Sequence, residues 1–317
     1  MDKYNKIIHG DCLIESDKIE SGSVDLILTD LPYGTITNIG DSNNIVHGMK
    51  NKTEWDLAIE TEKIYEIANR ILRKNGKMVL FSQEPYTTKL INEAISNIPF
   101  SYRMIWEKDH FANSLIAKKA PVSYFEDILV FSKSCELNVN NEIRDYLIAE
   151  RKKVKEKGYK DKDLRIMCGV SLKGGGLLSH FWGHEQWMMP TEKHYKTLQQ
   201  TGFFRRPYKE IEEINNQIKK QVESTFNLWE GKKYKSNILR YKKDYEGLHP
   251  CQKPILLLQD LVKTFSNEND LVVDLTCGSG STLMACLNTN RRYLGIEKDE
   301  QYYQIAINRI NGYIKES

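Results

Sequence analysis

The sequence predicts an α/β fold built on a mostly parallel sheet, and three observations support this prediction. Short apolar runs alternate with segments of helical apolar spacing over the first 130 or so residues. The same alternation resumes near residue 249 and continues towards the end of the chain. Two of the apolar runs are followed at once by turn-forming polar residues. Such turns lie where open α/β sheets bind their ligands, at the carboxyl ends of strands.

The first part of the chain alternates between predicted strands and helices. Apolar runs rich in β-branched residues predict strands, and apolar residues that recur every three or four positions predict helices. The strands are expected at residues 6–9, 24–29, 77–81, 102–106 and 127–131, and the helices at residues 62–72 and 87–98. The last two strands leave little room for a helix between them, so we expect a hairpin there. Strands separated by helices imply a parallel sheet covered on both faces.

A long middle segment, residues 134–246, departs from this alternation. It is densely charged, contains a glycine run at residues 174–176 and carries clusters of aromatic residues. One amphipathic helix is predicted over residues 211–222, where apolar residues recur at helical spacing. Beyond this insert, a helix is expected from Pro254, then strands at residues 271–275 and 293–297 and helices at residues 283–287 and 300–310.

Composition limits the class of protein. With 317 residues, 40% of them apolar, the chain can bury a full-sized core and carry an inserted domain. No apolar stretch approaches the roughly 18–20 residues that span a bilayer, and the first residues lack the apolar run of a secretory signal. We therefore expect a cytoplasmic protein without a membrane partner. The cysteines lack CxxC or finger spacing, and His180 and His184 have no suitable acid or cysteine nearby, so no metal site is expected.

Charge is unevenly distributed along the chain. A net charge of +3 is too small to indicate a polyanionic partner by itself. From Gly231 to Lys243, however, six basic residues occur without an acid, and Tyr234 and Tyr241 lie among them. Basic groups bind phosphates and aromatic rings stack on bases. This basic segment, residues 231–243, is therefore compatible with nucleic-acid binding and also with an ordinary solvated loop.

A polar turn follows the strand predicted at residues 24–29. Asp30 supplies a carboxylate, Leu31 a carbonyl group and Tyr33 an aromatic face. At the carboxyl end of a strand, these groups can bind a flat ring and polarise its amino nitrogen. Taken alone, the same residues could instead form a simple turn and pack a half-buried aromatic ring.

A glycine-rich turn, residues 274–282, follows the strand predicted at residues 271–275. Gly278 and Gly280 permit backbone conformations and a close approach that a Cβ atom would obstruct, so a cofactor can lie there beside a helix N-terminus. Glu297 ends the next strand, where an acidic side chain can bind ribose hydroxyl groups. These features predict a nucleotide cofactor but do not distinguish NAD from S-adenosylmethionine.

The two turns resemble the motifs of DNA methyltransferases that modify exocyclic amines, the N6-adenine and N4-cytosine enzymes of bacterial and phage restriction-modification systems. Residues 30–33 resemble their Asp-Pro-Pro-Tyr motif, and residues 274–282 resemble their cofactor loop. The amino-group motif comes first and the cofactor loop last, with an insert between them, which is the permuted order of the β group. Shorter matches occur at residues 10–12, 73–76, 106–108 and 249–254.

The resemblance implies the Rossmann-like fold of S-adenosylmethionine-dependent methyltransferases, with a mostly parallel sheet and an antiparallel strand on the C-terminal side. Residues 1–133 and 247–317 would form the catalytic domain, and residues 134–246 an inserted target-recognition region. The implied activity is site-specific methylation of the N6 amine of an adenine flipped out of double-stranded DNA. A bacterial or phage-encoded cytoplasmic enzyme is implied, with a cognate restriction endonuclease and a second copy of the chain as candidate protein partners.

The resemblance also assigns catalytic roles. Asp30 and the Leu31 carbonyl would accept hydrogen bonds from the target amine, which favours a pyramidal nitrogen with an available lone pair. Tyr33 would stack on the base, and Pro32 completes the turn. Methyl transfer would then be direct, with catalysis by positioning and electrostatics.

Cofactor contacts are implied at several places in the chain. Asp11 would bind the adenine amino group and Glu297 the ribose. Asp274, with the loop amides, would bind the methionine end, and Lys253 is a candidate for its carboxylate. The full predicted set is Asp11, Cys12, Asp30, Lys253, Asp274, Thr276, Gly278, Ser279, Gly280, Ser281, Thr282, Glu297 and Lys298.

The chain departs from the family pattern at three positions. Leu31 replaces the first proline, which keeps the carbonyl but removes the ring that fixes φ, so we expect a less rigid turn. Thr276 stands where phenylalanine is common, which weakens one expected apolar contact with the cofactor. Phe125 stands where histidine is frequent, and we assign it no role.

Sequence choice on DNA requires side chains that reach base edges outside the pocket, and the insert is the candidate for this role. Within it, residues 190–195 and 203–208 resemble target-recognition segments of some bacterial and phage adenine methyltransferases. Residues 36–55 are rich in turn formers and are predicted to be a mobile loop that orders on DNA. The predicted DNA contacts are Arg205, Arg206, Lys232, Lys233, Lys235, Arg240, Lys242 and Lys243.

Other functions stay open at this point. An N4-cytosine enzyme would use the same acceptor geometry, although Asp30, where cytosine enzymes frequently have serine, favours adenine. An NAD-dependent oxidoreductase on a Rossmann fold would place the glycine-rich turn early and would leave the turn at residues 30–33 unexplained. A binding module without turnover is disfavoured by the intact Asp30, Tyr33 and Gly278. RNA is a less favoured substrate than DNA.

Overall fold

The computed structural model describes residues 3–33, 58–112, 117–119, 121–134, 142–171, 176–183, 187–222, 224–228, 231–244, 248 and 251–316. The loop predicted at residues 36–55 lies outside them. Two compact units are present, one formed by Met1–Ser134 with Ser224–Ser317 and the other by Cys135–Glu223. None of the helices in the described residues is both long and apolar enough to cross a membrane.

The first unit is built on an eight-stranded sheet with the order β1-β8-β7-β2-β3-β5-β4-β6. Its strands are β1 (Lys6–His9), β2 (Val24–Thr29), β3 (Leu72–Ser82), β4 (Phe100–Ala112), β5 (Ser123–Ser132), β6 (Ile238–Arg240), β7 (Leu271–Asp274) and β8 (Arg292–Glu297). Among these strands β5 runs antiparallel to its neighbours β3 and β4, and the other pairings are parallel. The predicted hairpin of β4 and β5 is therefore confirmed.

Helices cover both faces of this sheet, as the strand pattern predicts. Along β2, Leu26 and Leu28 pack in the cluster that includes Leu261 of the helix after residue 254, whereas Ile27 packs in the opposite cluster with Ile64. The helices of the first unit are α1 (Cys12–Glu15), α2 (Thr61–Ile71), α3 (Tyr86–Asn92), α9 (Ile255–Phe265), α10 (Ser281–Leu287) and α11 (Glu300–Glu316), with a short 3-10 turn at Ser16–Lys18.

The second unit is helical and has its own core. Its helices are α4 (Glu142–Glu156), α5 (Asp161–Met167), α6 (Gly176–His180), α7 (Glu192–Gln199) and α8 (Tyr208–Val222). The amphipathic helix predicted at residues 211–222 is confirmed as α8, and Ile211 is fully buried. The buried Tyr195 hydroxyl lies 3.2 Å and 2.9 Å from the carbonyl oxygens of Phe204 and Arg206, which fixes the α7–α8 connection.

Two expectations about the layout need correction. The antiparallel strand is β5, in the first catalytic part, and not a strand on the C-terminal side, because the short β4–β5 connection reverses the chain. The second unit ends at Glu223, not near residue 246. The segment from Ser224 belongs to the first unit because β6 pairs with β4 and because the Asn227 amide donates to the carbonyl oxygens of Lys263 and Ser266, both at 3.0 Å.

Candidate active site

The acidic turn and the glycine-rich turn meet at one edge of the sheet. Their strands, β2 and β7, are hydrogen-bonded neighbours. The Thr276 hydroxyl donates to the carbonyl oxygen of Asp30 at 2.9 Å, and the Thr29 hydroxyl donates to the Asp274 carboxylate at 2.8 Å. Thr276 thus connects the two turns directly. The structure therefore brings both predicted halves of the site together.

Asp30 is held by two partners at the start of this turn. The Tyr33 hydroxyl donates to one carboxylate oxygen at 2.6 Å, and the Lys253 ammonium donates to the other. The Asp30 side chain is 23% exposed. Burial raises the pKa of Asp30, the Lys253 ammonium opposes this rise, and the nearby Glu126 carboxylate adds to it. The structure thus offers a partly exposed acceptor whose charge depends on Lys253.

Lys253 lies between two carboxylates. Its side chain is 8% exposed, and its ammonium lies 3.3 Å from Glu126 as well as against Asp30. Burial disfavours the charged form, but Asp30 and Glu126 raise the pKa of Lys253 above its ordinary value. Lys253 was expected to bind the cofactor carboxylate. Its ammonium engages Asp30 and holds that carboxylate in position, and the contact with the cofactor stays a prediction.

Glu126 and Lys108 extend this arrangement and were not predicted from the sequence as site residues. Lys108, whose side chain is almost fully buried, forms an ion pair with Glu126 across β4 and β5. Burial alone would raise the pKa of Glu126, but Lys253 and Lys108 hold it below its usual range. The result is a charge row of alternating sign, Lys108, Glu126, Lys253 and Asp30. For Glu126, the sequence offers only an acidic residue at the start of an apolar strand, and this pattern is too common to identify a site.

The rest of the acidic turn is fixed by packing. The Leu31 side chain is 2% exposed and lies in the apolar cluster that includes Ile64. This burial anchors the turn at the position where the family motif has its first proline and this chain has leucine. The Tyr33 ring packs at 5.5 Å, centroid to centroid, on the ring of Tyr86. Burial raises the pKa of Tyr33 well above its ordinary value, so its hydroxyl stays protonated and donates to Asp30.

The glycine-rich turn depends on its two glycines in different ways. Gly278 and Gly280 have φ values of +51° and +80°, which L side chains adopt rarely. A Cβ atom at Gly280 would also lie 3.2 Å from that of Ala306 in α11. The Gly278 amide donates to Glu297 at 2.7 Å, and the second oxygen of Glu297 accepts from the Asp299 amide at 2.8 Å. Glu297, the last residue of β8, therefore fixes the glycine-rich turn that follows β7.

The carboxylates at the ends of β1 and β8 fit the polar groups of a nucleoside. Asp11 caps α1 through the Leu13 amide at 3.0 Å and accepts from Lys298 at 2.9 Å. The Gly10 amide donates to the Glu297 carbonyl at 2.9 Å, which places the two strand ends side by side. A carboxylate has about four lone-pair sites, so Asp11 and Glu297 both keep capacity for an amine or a hydroxyl group. Burial raises the pKa of Glu297 above its ordinary value.

Several predicted cofactor residues form hydrogen bonds that hold the glycine-rich turn in shape. The buried Asp274 carboxylate accepts from Thr29, from the Thr276 amide and from Thr282, and burial raises the pKa of Asp274 to about 6. The Ser281 hydroxyl accepts from Arg309 at 3.0 Å. Ser279 is buried as well, and its backbone carbonyl oxygen accepts from Arg309 at 3.3 Å. These contacts hold the loop, and direct cofactor contacts of Asp274, Ser279, Ser281 and Thr282 stay predictions.

The remaining predicted cofactor residues are Cys12 and Lys298. Cys12 is buried in the apolar core, and burial raises the pKa of its thiol to about 12. Lys298 is largely exposed and engages Asp11. Its ammonium holds the pKa of Asp11 below its usual range, together with the Leu13 amide and against the effect of burial. Lys298 therefore keeps the Asp11 carboxylate ionised and available as an acceptor.

The predicted DNA contacts differ in accessibility. Within the second unit, Arg206 pairs with Glu142 at 2.7 Å and stacks on the Tyr146 ring, so it has a structural role, whereas Arg205 is exposed. In the first unit, Arg240 is exposed but pairs with Glu107 at 3.0 Å. The exposed lysines of the basic segment are Lys232, Lys233 and Lys242, and Lys243 is half-buried.

Lys235 is a correction among the predicted DNA contacts. Its side chain is 11% exposed, and its ammonium pairs with the buried Asp260 carboxylate of α9. Asp260 also accepts from the Tyr241 hydroxyl at 2.8 Å. Lys235 therefore attaches the basic segment to α9, and its ammonium is not available as a phosphate contact.

Comparison with known proteins agrees with this geometry. The family model described as DNA methylase, for N6 and N4 methyltransferases, matches residues 24–308. The Type II methyltransferase M.HindIII of Haemophilus influenzae is 25% identical over 315 residues, covering 96% of this chain and 94% of the relative. The DNA adenine methyltransferase YhdJ of Escherichia coli is 25% identical over 308 residues, covering 96% of this chain and 82% of the relative.

Solved structures show the same fold. The S-adenosylmethionine complex of M1.HpyAVI has a TM-score of 0.52 at 18% identity, covering 96% of this chain and 98% of that one. The cytosine-N4-specific PvuII DNA methyltransferase has a TM-score of 0.50 at 11% identity, covering 98% and 91%. The match to the family model spans most of the chain and includes both turns of the site. The chain therefore belongs to the N6 and N4 DNA methylase family, enzymes that use S-adenosylmethionine to methylate exocyclic amines of DNA.

Proposed function

We propose that this protein methylates the N6 amine of adenine at a specific site in double-stranded DNA. One observation carries the proposal. The Asp30 carboxylate lies at the edge shared with the glycine-rich turn, partly exposed and kept in place by Tyr33 and Lys253. An acceptor in this position can bind an amine that faces the cofactor.

The chemistry follows from the weakness of the nucleophile. The lone pair of an aromatic amine is delocalised into the ring. Hydrogen bonds from the amine to the Asp30 carboxylate and the Leu31 carbonyl favour a pyramidal nitrogen whose lone pair is available. S-adenosylmethionine, when bound, supplies an electrophilic methyl group. As positive charge develops on the nitrogen, the ionised Asp30 stabilises it, and Lys253 preserves that ionised state.

Access to the amine requires that the base leave the helix. The target nitrogen is stacked and paired inside a duplex, so the base must rotate into the pocket. The half-buried Tyr33 ring, fixed by Tyr86 and by its bond to Asp30, offers a flat face beside the acceptor. A rigid ring of this kind can replace part of the stacking that the base loses.

The choice of adenine rests on two observations. Asp30 occupies a position where cytosine enzymes frequently have serine, and the relative YhdJ is described as a DNA adenine methyltransferase. The fold does not discriminate, since the PvuII neighbour is described as cytosine-N4-specific. The NAD-dependent oxidoreductase is no longer a competing explanation, because the chain belongs to the methylase family.

The modified base can be identified directly. DNA that lacks methylated bases would be incubated with the protein and S-adenosylmethionine carrying a deuterated methyl group, then digested to nucleosides for mass spectrometry. We expect labelled N6-methyldeoxyadenosine. Labelled N4-methyldeoxycytidine would move the assignment to cytosine, and no labelled nucleoside would contradict methyl transfer to DNA. Sequencing of the modified DNA would give the recognition site.

The second unit, Cys135–Glu223, is our candidate for reading that site. It forms a separate helical unit and presents Arg205 on its surface, a residue type that binds guanine edges or phosphates. We also propose a cytoplasmic location in a bacterial or phage-infected cell, a cognate restriction endonuclease and a homodimer, each on the strength of the family resemblance.

Replacing Lys232 and Lys233 with glutamine should weaken DNA binding in a salt-dependent manner. Both lysines are exposed in the basic segment. If both neutralise phosphates, the slope of log affinity against log salt concentration should become shallower by about 1–2. Fluorescence anisotropy with a labelled duplex at several salt concentrations measures this slope. An unchanged slope would remove both residues from the interface.

Lys235 provides the matched control within the same segment. Because Lys235→Gln removes the ammonium that pairs with the buried Asp260 carboxylate, we expect the free energy of unfolding to fall by about 3 kcal/mol. The salt slope of DNA binding should stay as in the unchanged protein. A shallower slope in this variant would mean that Lys235 contacts phosphate and is not committed to Asp260.

A further inference from the structure

The β4–β5 hairpin exposes large aromatic rings. Phe111 near the end of β4 is 49% exposed, and Tyr124 near the start of β5 is 50% exposed. Their ring centroids lie 6.0 Å apart, so the two rings form one apolar surface, here named the aromatic platform. Rings of this size bury large areas when covered, and a patch left open to solvent is a candidate binding surface.

The aromatic platform lies at the catalytic edge of the sheet. β4 and β2 run in the same direction, so the end of β4 and the start of β5 share the edge at which Asp30 follows β2. Side chains two positions apart on a strand lie on the same face. Tyr124 therefore shares its face with Glu126, whose carboxylate contacts Lys253 beside Asp30.

Positive charge accompanies these rings. Lys118 and Lys119 are exposed in the turn between the two strands. On the β6 side of β4, Lys242 is exposed, and the Lys243 amide donates to the Asp109 carboxylate at 3.4 Å. Aromatic rings flanked by lysines are the combination that binds unpaired strands, since rings stack on bases and ammonium groups meet phosphates.

We propose that the aromatic platform stacks on bases of the DNA strand next to the target that have lost a stacking neighbour, with Lys118 and Lys119 on its phosphates. The proposal rests on the proposed function, because bases beside the target lose their stacking partner when that base leaves the helix. The charge around the rings favours a nucleic-acid strand over a protein partner. Stacking here would stabilise the opened duplex independently of the base in the pocket.

Two oligonucleotide probes separate stacking from charge. One is a labelled oligothymidylate, and the other is a labelled strand of equal length made of abasic nucleotides, which has the same phosphates without bases. Stacking of one base contributes roughly 1 kcal/mol or more, so the complete protein should bind oligothymidylate at least about fivefold more tightly. In Tyr124→Ala we expect this ratio to fall towards one, with binding of the abasic strand unchanged.

The neighbouring ring is the matched control. Phe125 is 44% exposed but lies on the opposite face of β5 from Tyr124, so Phe125→Ala should keep the ratio of the unchanged protein. Tyr124→Leu removes the ring but keeps apolar area, and we expect its affinity ratio of oligothymidylate to abasic strand to fall towards one as well. Thermal unfolding would confirm that each variant is folded.

Three results would overturn the proposal. The unchanged protein could bind the abasic strand as tightly as oligothymidylate, or Tyr124→Ala and Tyr124→Leu could keep the affinity ratio of the unchanged protein. The third is a change of oligomeric state in the Tyr124 variants, measured by sedimentation, which would make the surface a contact between copies of the chain. Methylation of plasmid DNA by the unchanged protein is measured in parallel. Absence of methyl transfer would contradict the proposed function, whereas methyl transfer without a ring effect would contradict the aromatic platform alone.

Discussion

Replacing Asp30 with asparagine should lower the rate of methyl transfer by about 10²–10³-fold while leaving cofactor affinity unchanged. Asparagine keeps the shape of the side chain and one acceptor oxygen, but it removes the negative charge that faces the developing positive charge on the target nitrogen. The Tyr33 hydroxyl and the Lys253 ammonium both bind this carboxylate, so no other oxygen in the turn is equivalent. Single-turnover transfer of a labelled methyl group measures the rate, and calorimetry measures cofactor affinity.

Asp17 offers a control for this change. It is an exposed aspartate whose contact with Arg70 is long, at 3.6 Å, and Asp17→Asn should leave the rate unaltered. Retention of more than about a tenth of the rate in Asp30→Asn would show that the carboxylate is not the principal acceptor. A parallel loss of cofactor affinity would instead place Asp30 in the cofactor site, a role that the sequence also suggests.

Replacing Lys253 with methionine should have the second large effect, seen in both rate and pH dependence. The ammonium is the cation that opposes the effects of burial and of Glu126 on Asp30. Without it the pKa of Asp30 rises further, so the carboxylate is protonated and lost as an acceptor over more of the acidic range. We expect about 10²-fold slower transfer near neutral pH and an acidic limb of the rate profile displaced to higher pH.

The direction of this displacement can be checked with the neighbouring carboxylate. Glu126 raises the pKa of Asp30, so Glu126→Gln should move the acidic limb to lower pH, opposite to Lys253→Met. Lys253→Arg keeps the cation, and its methyl-transfer rate should depend on pH almost as in the unchanged protein. If Lys253→Met weakened cofactor binding and left the pH profile in place, Lys253 would be a cofactor ligand, as the sequence resemblance suggested, and the positioning role would be wrong.

Local sequence patterns were sufficient for the turns that form the site. β2, with the polar turn that follows it, and β7, with its two glycines, were predicted because each signal lies within about ten consecutive residues. Glu297 was predicted as well, since it ends the next strand after the glycine-rich turn. The joining of the two turns followed from the family resemblance and is now visible in the bond from Thr276 to Asp30.

Long-range partners account for what the sequence did not predict. Lys253 and Asp30 lie 223 positions apart, and no local pattern shows that a lysine will be buried between two carboxylates. Lys235 stands in a segment whose composition is typical of an exposed basic loop. Its side chain is nevertheless mostly buried, and its ammonium pairs with the Asp260 carboxylate. β6 is too short for a periodicity signal and forms because the edge of β4 supplies its hydrogen bonds.

The pairing of β2 with β7 has an evolutionary consequence. The chain segments on either side of Cys135–Glu223 belong to the same unit, and the reaction centre is assembled from strands on both of them. Genetic exchange of the intervening stretch between relatives would therefore replace one helical module and leave the residues that perform the chemistry untouched. Under the proposed role of this module in reading DNA, new recognition sequences could arise by recombination at two junctions, without renewed selection for turnover.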